Sequence, residues 1–236
     1  MSSSGTAADP LERAEAAAKR IDEWRSHLLK LSSGSIPEIT EQSFLGRELR
    51  AAAVVAGMAE LEAILRDMLI GVGESVNNAT IEMRDLVPTL RSLAAHGNFQ
   101  SLTGSPDAEK HWRGRLLVTQ LDNSQDRAKL PTRVIKGPQP PLDGRTIQTR
   151  HISLVWEVLG LPQPIPSPST VASLKKLTQI RNDVAHRNVD ICQVFSEAGR
   201  SSLDLAKDLD DILLLILHIG TEWASYVDGA TYRVTP

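Results

Sequence analysis

Apolar residues recur at helical spacing from the start of the chain. Asp9 followed by Pro10 matches a helix N-cap with proline at the first helical position. The apolar positions that follow lie three, four or seven residues apart: Leu11, Ala14, Ala18, Ile21 and Leu28. This pattern predicts an N-terminal helix within residues 1–35 that ends near Leu31.

A second and longer helix is predicted by a segment rich in Ala, Leu and Met. The segment begins at about Glu48 and reads LRAAAVVAGMAELEAILRDMLIGV, with Gly57 as its one glycine before Gly71 and Gly73. Because its apolar residues cover most of the helix circumference, we expect this helix to be largely buried. A third helical pattern runs from about Ile81 to Ala95 and should be broken or kinked at Pro88.

The remaining pattern is also helical. Ser105-Pro106 opens a fourth helix, which carries Trp112, Leu116, Leu117 and Leu121. A short helix is predicted at Ile152–Leu159, and another starts at Ser167-Pro168. The helix that starts at Ser167-Pro168 is predicted to bury one face, which contains Val171, Leu174, Leu177, Thr178, Val184 and Ala185.

The last predicted helix runs from about Ser201 to Tyr226. Its centre, Ile212–Leu217, is apolar on nearly every side, so we expect burial on most of its circumference. Alternating runs of Val, Ile and Thr between turn signals are scarce. The sequence therefore predicts an all-α helical bundle, with residues 1–236 forming a single domain.

Helical periodicity is lost between Asn123 and Arg150. The segment contains four prolines and is the most basic stretch of the chain, with Arg133, Lys136 and Arg145 near its centre. We predict an exposed loop insertion over residues 123–150. Two interpretations stay open: a solvated loop, or an arm that contacts the phosphates of a nucleic acid.

Composition limits the function classes. Lys and Arg number 26 against 29 Asp and Glu, so the net charge of −3 excludes a surface that is basic throughout, and any polyanion site must be local. The single Cys192 excludes a disulfide framework and a cysteine-based zinc site. The first residues lack the pattern of a secretion signal, and no apolar run approaches the ~20 residues of a membrane span. We therefore expect a cytoplasmic protein with no membrane partner, no bound metal and no cofactor.

The candidate chemistry lies in RNDVAHRN, residues 181–188. Arg181, Asn182 and His186 fall near the end of the helix that starts at Pro168. Asn182 and His186 are four residues apart and share a helix face, whereas Arg181 lies about 140° around from His186. An imidazole moves protons near neutral pH, a guanidinium binds phosphate in bidentate fashion, and an amide orients either group. Together they suit phosphodiester chemistry without a metal.

A structural interpretation of the same segment is equally open. Asp183 and Arg187 are four residues apart and would form a surface ion pair, while His186 would interact with the negative end of the helix dipole. The spacing of Arg181 and His186 alone does not decide between the catalytic and the structural interpretation, because an Arg and a His also lie close together in the sequence at Arg20 and His27.

The segment RNDVAH resembles the signature of the HEPN superfamily, whose motif is an Arg, usually a polar residue next, and a His after four to six intervening positions. Two further segments resemble the RiboL-PSP-HEPN type: LEAILR at residues 61–66, and ISLVWEVLGLP before the motif helix. The likeness extends in order over residues 48–226. It implies a metal-independent endoribonuclease that acts as a homodimer, often as a toxin or an effector of phage defence, with an Arg and a His from each chain in the pocket.

The resemblance also implies a role for each motif residue. His186 would assist attack by the ribose 2′-OH or protonate the leaving oxygen, Arg181 would stabilise the phosphorane, and Asn182 would fix orientation. The products would carry 2′,3′-cyclic phosphate and 5′-OH ends. Candidate RNA contacts are Arg187, Arg133, Lys136 and Arg145. Asn188 stands where one toxin subgroup has a Tyr, so control through modification of that Tyr is not implied.

Other candidates have competing interpretations. Glu62 pairs with Arg66 in its own helix, or reaches the motif helix as a positioning residue, a role for which Asp183 is also a candidate. Three acidic residues on the last helix have spacing that suits a divalent cation, although a solvated acidic stretch explains them better: Asp204, Asp208 and Asp211. The histidines outside the motif are expected to be surface or locally satisfied residues, with His218 in the core or an interface.

Two alternatives to the ribonuclease remain. One is a non-catalytic helical module that binds nucleotide, RNA or protein through the same motif. The other is a purely structural bundle, in which replacing His186 would change neither binding nor activity. The resemblance also leaves room for a cognate inhibitor or a partner from a defence system.

Overall fold

The computed structural model describes residues 9–96, 98–99, 108–132, 146–186, 191–197 and 199–234, except for the side chains of residues 108, 110–112 and 186. Within these residues the chain forms eight α-helices and no strand beyond two isolated bridges. The helices are α1 (Pro10–Ser32), α2 (Phe44–Ala79), α3 (Pro88–Ala94), α4 (Ala108–Thr119), α5 (Thr149–Leu159), α6 (Pro168–His186), α7 (Ile191–Val194) and α8 (Ser202–Asp228). The all-α prediction is confirmed.

Three long helices build the core. Helices α1, α2 and α8 pack against one another, and α6 packs against α2 and α8. The Asp9 side chain caps α1 by accepting a hydrogen bond from the Leu11 amide, as the sequence predicts. Helix α8 approaches α1 so closely that a Cβ on Gly220 would overlap the side chain of Ala14. Small residues at this contact therefore set the separation of the two helices.

Helix α2 is longer than its sequence pattern predicts. It begins at Phe44, with Ser43 as the N-cap, and it continues through Gly71 and Gly73 to Ala79. A Cβ on Gly71 would overlap the Trp223 indole, and one on Gly73 would overlap a backbone carbonyl. Glycine by itself favours the end of a helix, but packing against these neighbours keeps α2 helical through both glycines.

The prediction of the third helix is wrong for its first half. The chain between Ile81 and Val87 is extended apart from a short 3-10 turn at Met83–Asp85, and α3 begins only at Pro88. Val87 has φ −56° and ψ 141°, the conformation that a following proline favours. Proline is therefore the first residue of this helix instead of a kink within it.

The buried faces of α6 and α8 also differ in detail from the prediction. Val171 of α6 is 38% exposed, whereas Thr170 and Ser173 are buried. Polar contacts explain this rotation, because Thr170 bonds to the Ser167 hydroxyl and Ser173 donates to carboxylates on α8. Ala185 at the end of α6 is also exposed. On α8, Leu214 is 55% exposed, so one side of its apolar centre faces solvent.

The predicted insertion is anchored at both of its described ends. Ala128, Leu130 and Ile147 are fully buried, so the prediction of an exposed segment is wrong for them. Asn77 of α2 fixes the first end, since its Nδ2 donates to the Leu130 carbonyl and its Oδ1 accepts from the Leu130 amide. Arg133, Lys136 and Arg145 lie outside the described residues. Among the helices that the structure describes, none has the length and apolar character to cross a membrane.

Candidate functional site

The motif lies at the C-terminal end of α6, where the sequence predicts it. Arg181, Asn182 and Asp183 occupy the last two turns of the helix, and His186 is its final residue, one turn after Asn182. The His186 side chain and all of Arg187 lie outside the described residues. The helix therefore presents three described polar side chains near its end, in three different directions.

Asn182 joins α6 to the segment that precedes α5. The hydroxyl of Thr146, a buried residue, donates to Asn182 Oδ1 at 2.6 Å. One turn earlier on the same face, the Thr178 hydroxyl donates to the Ile147 carbonyl at 2.9 Å. These two bonds hold the start of α5 at a fixed position beside the motif helix.

A cleft of about 460 Å³ opens between these two segments. It is lined by Gln148, Thr149, Arg150, Lys175, Thr178, Gln179 and Asn182. Arg150 and Lys175 are its charged lining residues, and the described lining contains no carboxylate. A volume within the ~300–1,000 Å³ of small-molecule sites, together with a net positive lining, suits an anionic ligand of nucleotide size.

Arg181 is not part of this cleft. It lies about 100° around the helix from Asn182, and it is partly buried. Within the described residues, its guanidinium makes no hydrogen bond and no ion pair. Asn182 thus lines the cleft together with Arg150 and Lys175. Arg181 lies on the neighbouring face of α6, and its guanidinium makes no hydrogen bond or ion pair with any of these three residues.

Asp183 fixes the chain that follows the motif. Its carboxylate accepts a hydrogen bond from Gln179 and pairs with Arg200 at 3.4 Å. Arg200 is itself buried and also donates to the Val194 carbonyl. Asp183 therefore ties the turn between α7 and α8 to the end of α6, and its described partners do not include Arg181.

Glu62 forms the intrahelical pair that its spacing predicts. Arg66 Nη2 lies 2.6 Å from Glu62 Oε1 on the partly exposed side of α2. Among the described residues, this is the bond that Glu62 makes, and none joins it to Arg181. The described contacts thus favour the pair over the positioning role.

The three acidic residues of α8 with the spacing of a cation site each have a described partner. Asp204 closes the N-cap of its own helix, and its hydrogen bond from the Ser201 hydroxyl lowers the pKa of its carboxyl. Asp208 is buried beside Lys176, whose Nζ lies 2.6 Å from Asp208 Oδ2, and burial raises the pKa of Asp208. Asp211 accepts from two serines of α6. Among the residues with described positions, no cluster of three or more His, Cys, Asp or Glu could hold a metal ion.

Two histidines outside the motif have described local partners. His218 stacks on Trp156 with ring centres 6.0 Å apart, and its Nε2 lies 2.9 Å from the Gln163 carbonyl oxygen. His151 is buried and completes the N-cap of α5, since its Nδ1 accepts from the Gln148 amide. Both match the expectation of locally satisfied histidines.

Lys175 and Arg200 belong to this region although neither is among the residues predicted for it. Lys175 precedes Asn182 by seven residues, which places both on one face of α6, so helical spacing alone could have found it. Arg200 gives no such signal, because its contact with Asp183 depends on how the chain turns back between α7 and α8. Comparison of the chain with protein-family models, with curated proteins and with solved structures finds no match.

Proposed function

We propose that this protein is a metal-independent endoribonuclease of the HEPN type, active as a homodimer. The observation that carries the proposal is the position of the motif helix, whose residue Asn182 lines a cleft with two cations and no described carboxylate. Such a lining attracts the phosphates of RNA although the net charge of the whole chain is −3. The resemblance of RNDVAH to the HEPN signature supplies the reaction type.

The reaction needs two proton transfers and one site of charge stabilisation. A base takes the proton of the ribose 2′-OH, the 2′-oxygen bonds to phosphorus, and the 5′-oxygen leaves with a proton from an acid. His186 from each chain of the dimer would supply these two roles. The Arg181 guanidinium, which bonds to no other described residue, would bind the phosphorane oxygens, and Asn182 would orient the phosphate. A cationic guanidinium performs the charge stabilisation that a metal ion supplies in other nucleases.

The biological setting follows from the same proposal. A ribonuclease of this type acts as a toxin or as a defence effector in the cytoplasm, where cellular RNA is its substrate. Such an enzyme requires a cognate inhibitor or a triggering partner, since uncontrolled cleavage would harm the cell that makes it.

One observation favours binding without cleavage as a second candidate function. Among the described residues, the cleft contains Asn182 but not Arg181, so a ligand held in the cleft alone would not meet the guanidinium. A non-catalytic module would bind RNA in this cleft and leave it intact.

A charge-conserving substitution separates the two functions. Wild-type protein should cut single-stranded RNA in EDTA, and Arg181→Lys should cut it at least tenfold more slowly, because an ammonium cannot replace a bidentate guanidinium. Arg233→Lys is the matched control at an exposed arginine near the C-terminus, and it should leave the rate unchanged. Equal rates for the wild type and Arg181→Lys would contradict the assigned role of Arg181. RNA binding without cleavage by the wild type would favour the binding module.

A further inference from the structure

We infer that Arg150 and Lys175 form a phosphate clamp that holds the RNA strand beside the motif helix. The inference rests on the proposed function, because it takes RNA as the ligand, but it concerns binding and not the chemical step. Neither residue belongs to the motif. Both residues line the cleft of about 460 Å³ between α5 and α6.

The clamp has two walls that are bonded to each other. Arg150 lies in the first turn of α5, and Lys175 lies on the face of α6 that also carries Asn182. The bonds from Thr146 to Asn182 and from Thr178 to the Ile147 carbonyl join the two walls directly. The two segments that carry the cations are therefore joined before any ligand arrives, which lowers the entropic cost of bringing them together on binding.

The chemistry of the lining selects an anion. Besides the two cations it contains three side-chain amides and two hydroxyls, and no carboxylate among the described residues: Gln148, Gln179 and Asn182, with Thr149 and Thr178. Asp183, the nearest acid along α6, is occupied by Arg200 and Gln179. Because Asn182 Oδ1 accepts from Thr146, the Nδ2 group keeps two donor hydrogens that bond to no described residue. An anion in the cleft would meet two cations and an amide donor.

The position of the cleft favours a phosphate of the strand that is cut. Asn182 lines the cleft, and His186 ends the same helix one turn, or about 5–6 Å, further on. Lys175 lies eleven residues, or about 16 Å, before His186 along the same helix, so a strand whose phosphate lies between Arg150 and Lys175 reaches the end of the motif helix a few nucleotides away. The clamp would hold the strand in register with the reacting groups, which is how positioning contributes to the rate.

The test measures binding of an RNA that cannot be cut. A 12-nucleotide single strand with 2′-O-methyl groups throughout lacks the attacking hydroxyl, and fluorescence anisotropy gives its Kd. Arg150→Gln combined with Lys175→Gln should weaken binding at least tenfold. Loss of two phosphate contacts should also flatten the plot of log K against log salt by about 1.4, since each contact to a single strand contributes about 0.7.

A matched control removes the same charge elsewhere. Lys19 on α1 and Lys207 on α8 are exposed, so Lys19→Gln with Lys207→Gln lowers the net charge equally without touching the cleft. This double variant should bind within twofold of the wild type. Equal weakening by both double variants would overturn the clamp and show that only overall charge matters. Tighter binding of a free nucleoside triphosphate than of the 12-nucleotide strand would also overturn it, because the cleft would then hold a nucleotide ligand.

The outcome separates this inference from the proposed function. If wild-type protein does not cut unmodified RNA, yet the cleft variant alone loses binding, the clamp stands and the ribonuclease falls. If wild-type protein cuts RNA and the cleft variant binds and cuts like the control, the ribonuclease stands and the clamp falls.

Discussion

Replacing His186 by alanine is expected to lower the rate of RNA cleavage by about 10²- to 10⁴-fold, the contribution that a positioned acid or base makes. His186 ends the helix that carries Arg181 and Asn182, and it lies one turn beyond the residue that lines the cationic cleft. An imidazole is the side chain whose ordinary pKa lies near neutral pH, so it can both accept and donate the protons of this reaction. Alanine removes both capacities and leaves the helix intact.

The matched control is an exposed histidine on another helix. His27 lies on the exposed side of α1, where its ring contacts Trp24 edge to face. His27→Ala should cleave RNA at the wild-type rate under the same conditions. A loss of less than fivefold for His186→Ala, or an equal loss for His27→Ala, would contradict the catalytic assignment. Thermal unfolding of both variants checks that any loss of rate does not come from a loss of fold.

Arg50→Ala is expected to cost about 3–5 kcal/mol of unfolding free energy, because it leaves buried carbonyls without a hydrogen-bond donor, at about 1–3 kcal/mol each, and opens a cavity in the core. Arg50 is 1% exposed, and its guanidinium donates to three backbone carbonyls, those of Glu41, Gly46 and Arg200. It also lies 4.7 Å from the centre of the Phe195 ring. Burial lowers the pKa of Arg50, which records the cost of desolvating the charge that these contacts offset. Alanine would leave the carbonyls of Glu41 and Arg200 without this buried donor and would leave a cavity beside Phe195, while the Gly46 carbonyl keeps its helical bond to the backbone amide of residue 50.

The same helix provides the control for this prediction. Arg66 of α2 is 45% exposed and pairs with Glu62 one turn away. Arg66→Ala should cost only about 0.3–0.5 kcal/mol, as exposed pairs at this spacing do. Urea unfolding, followed by circular dichroism, measures both variants. A cost below 1 kcal/mol for Arg50→Ala, or equal costs for the two, would contradict the structural role of Arg50.

Arg50 also connects the core to the candidate site. Its hydrogen bond to the Arg200 carbonyl fixes a residue whose own guanidinium pairs with Asp183, next to Asn182 on α6. Two buried arginines thus hold the chain that follows the motif helix: Arg50 bonds to Arg200, and Arg200 pairs with Asp183. This arrangement links the packing of α2 to the end of the helix that carries the motif.

Much of the fold is predictable because local signals and tertiary packing agree. Asp9 caps α1 as its sequence position predicts, α8 begins within one residue of the expected Ser201, and α6 begins at Pro168 as expected. Each of these starts depends on residues within one turn of the helix end. The pair between Glu62 and Arg66 is likewise a contact within one helix, and it is one of the two interpretations that its spacing allows.

The rest depends on contacts between segments that are distant in sequence. Helix α2 continues through Gly71 because the Trp223 indole packs where a side chain would otherwise be. The buried face of α6 is rotated because Ser173 finds carboxylates on α8. The cleft arises in the same way, since the bonds from Thr146 to Asn182 and from Thr178 to the Ile147 carbonyl bring the segment of Arg150 beside that of Lys175. No periodicity within one segment encodes these pairings.

The most direct test of the proposed function is to map the ends of the RNA fragments that purified wild-type protein makes in EDTA. We expect 5′-OH ends and 2′,3′-cyclic phosphates, because attack by the neighbouring 2′-OH leaves the phosphate bridging two oxygens of the same ribose. Fragments with 5′-phosphates and 3′-OH ends, or cleavage that occurs only after Mg²⁺ is added, would contradict it, since both indicate attack by a metal-activated water.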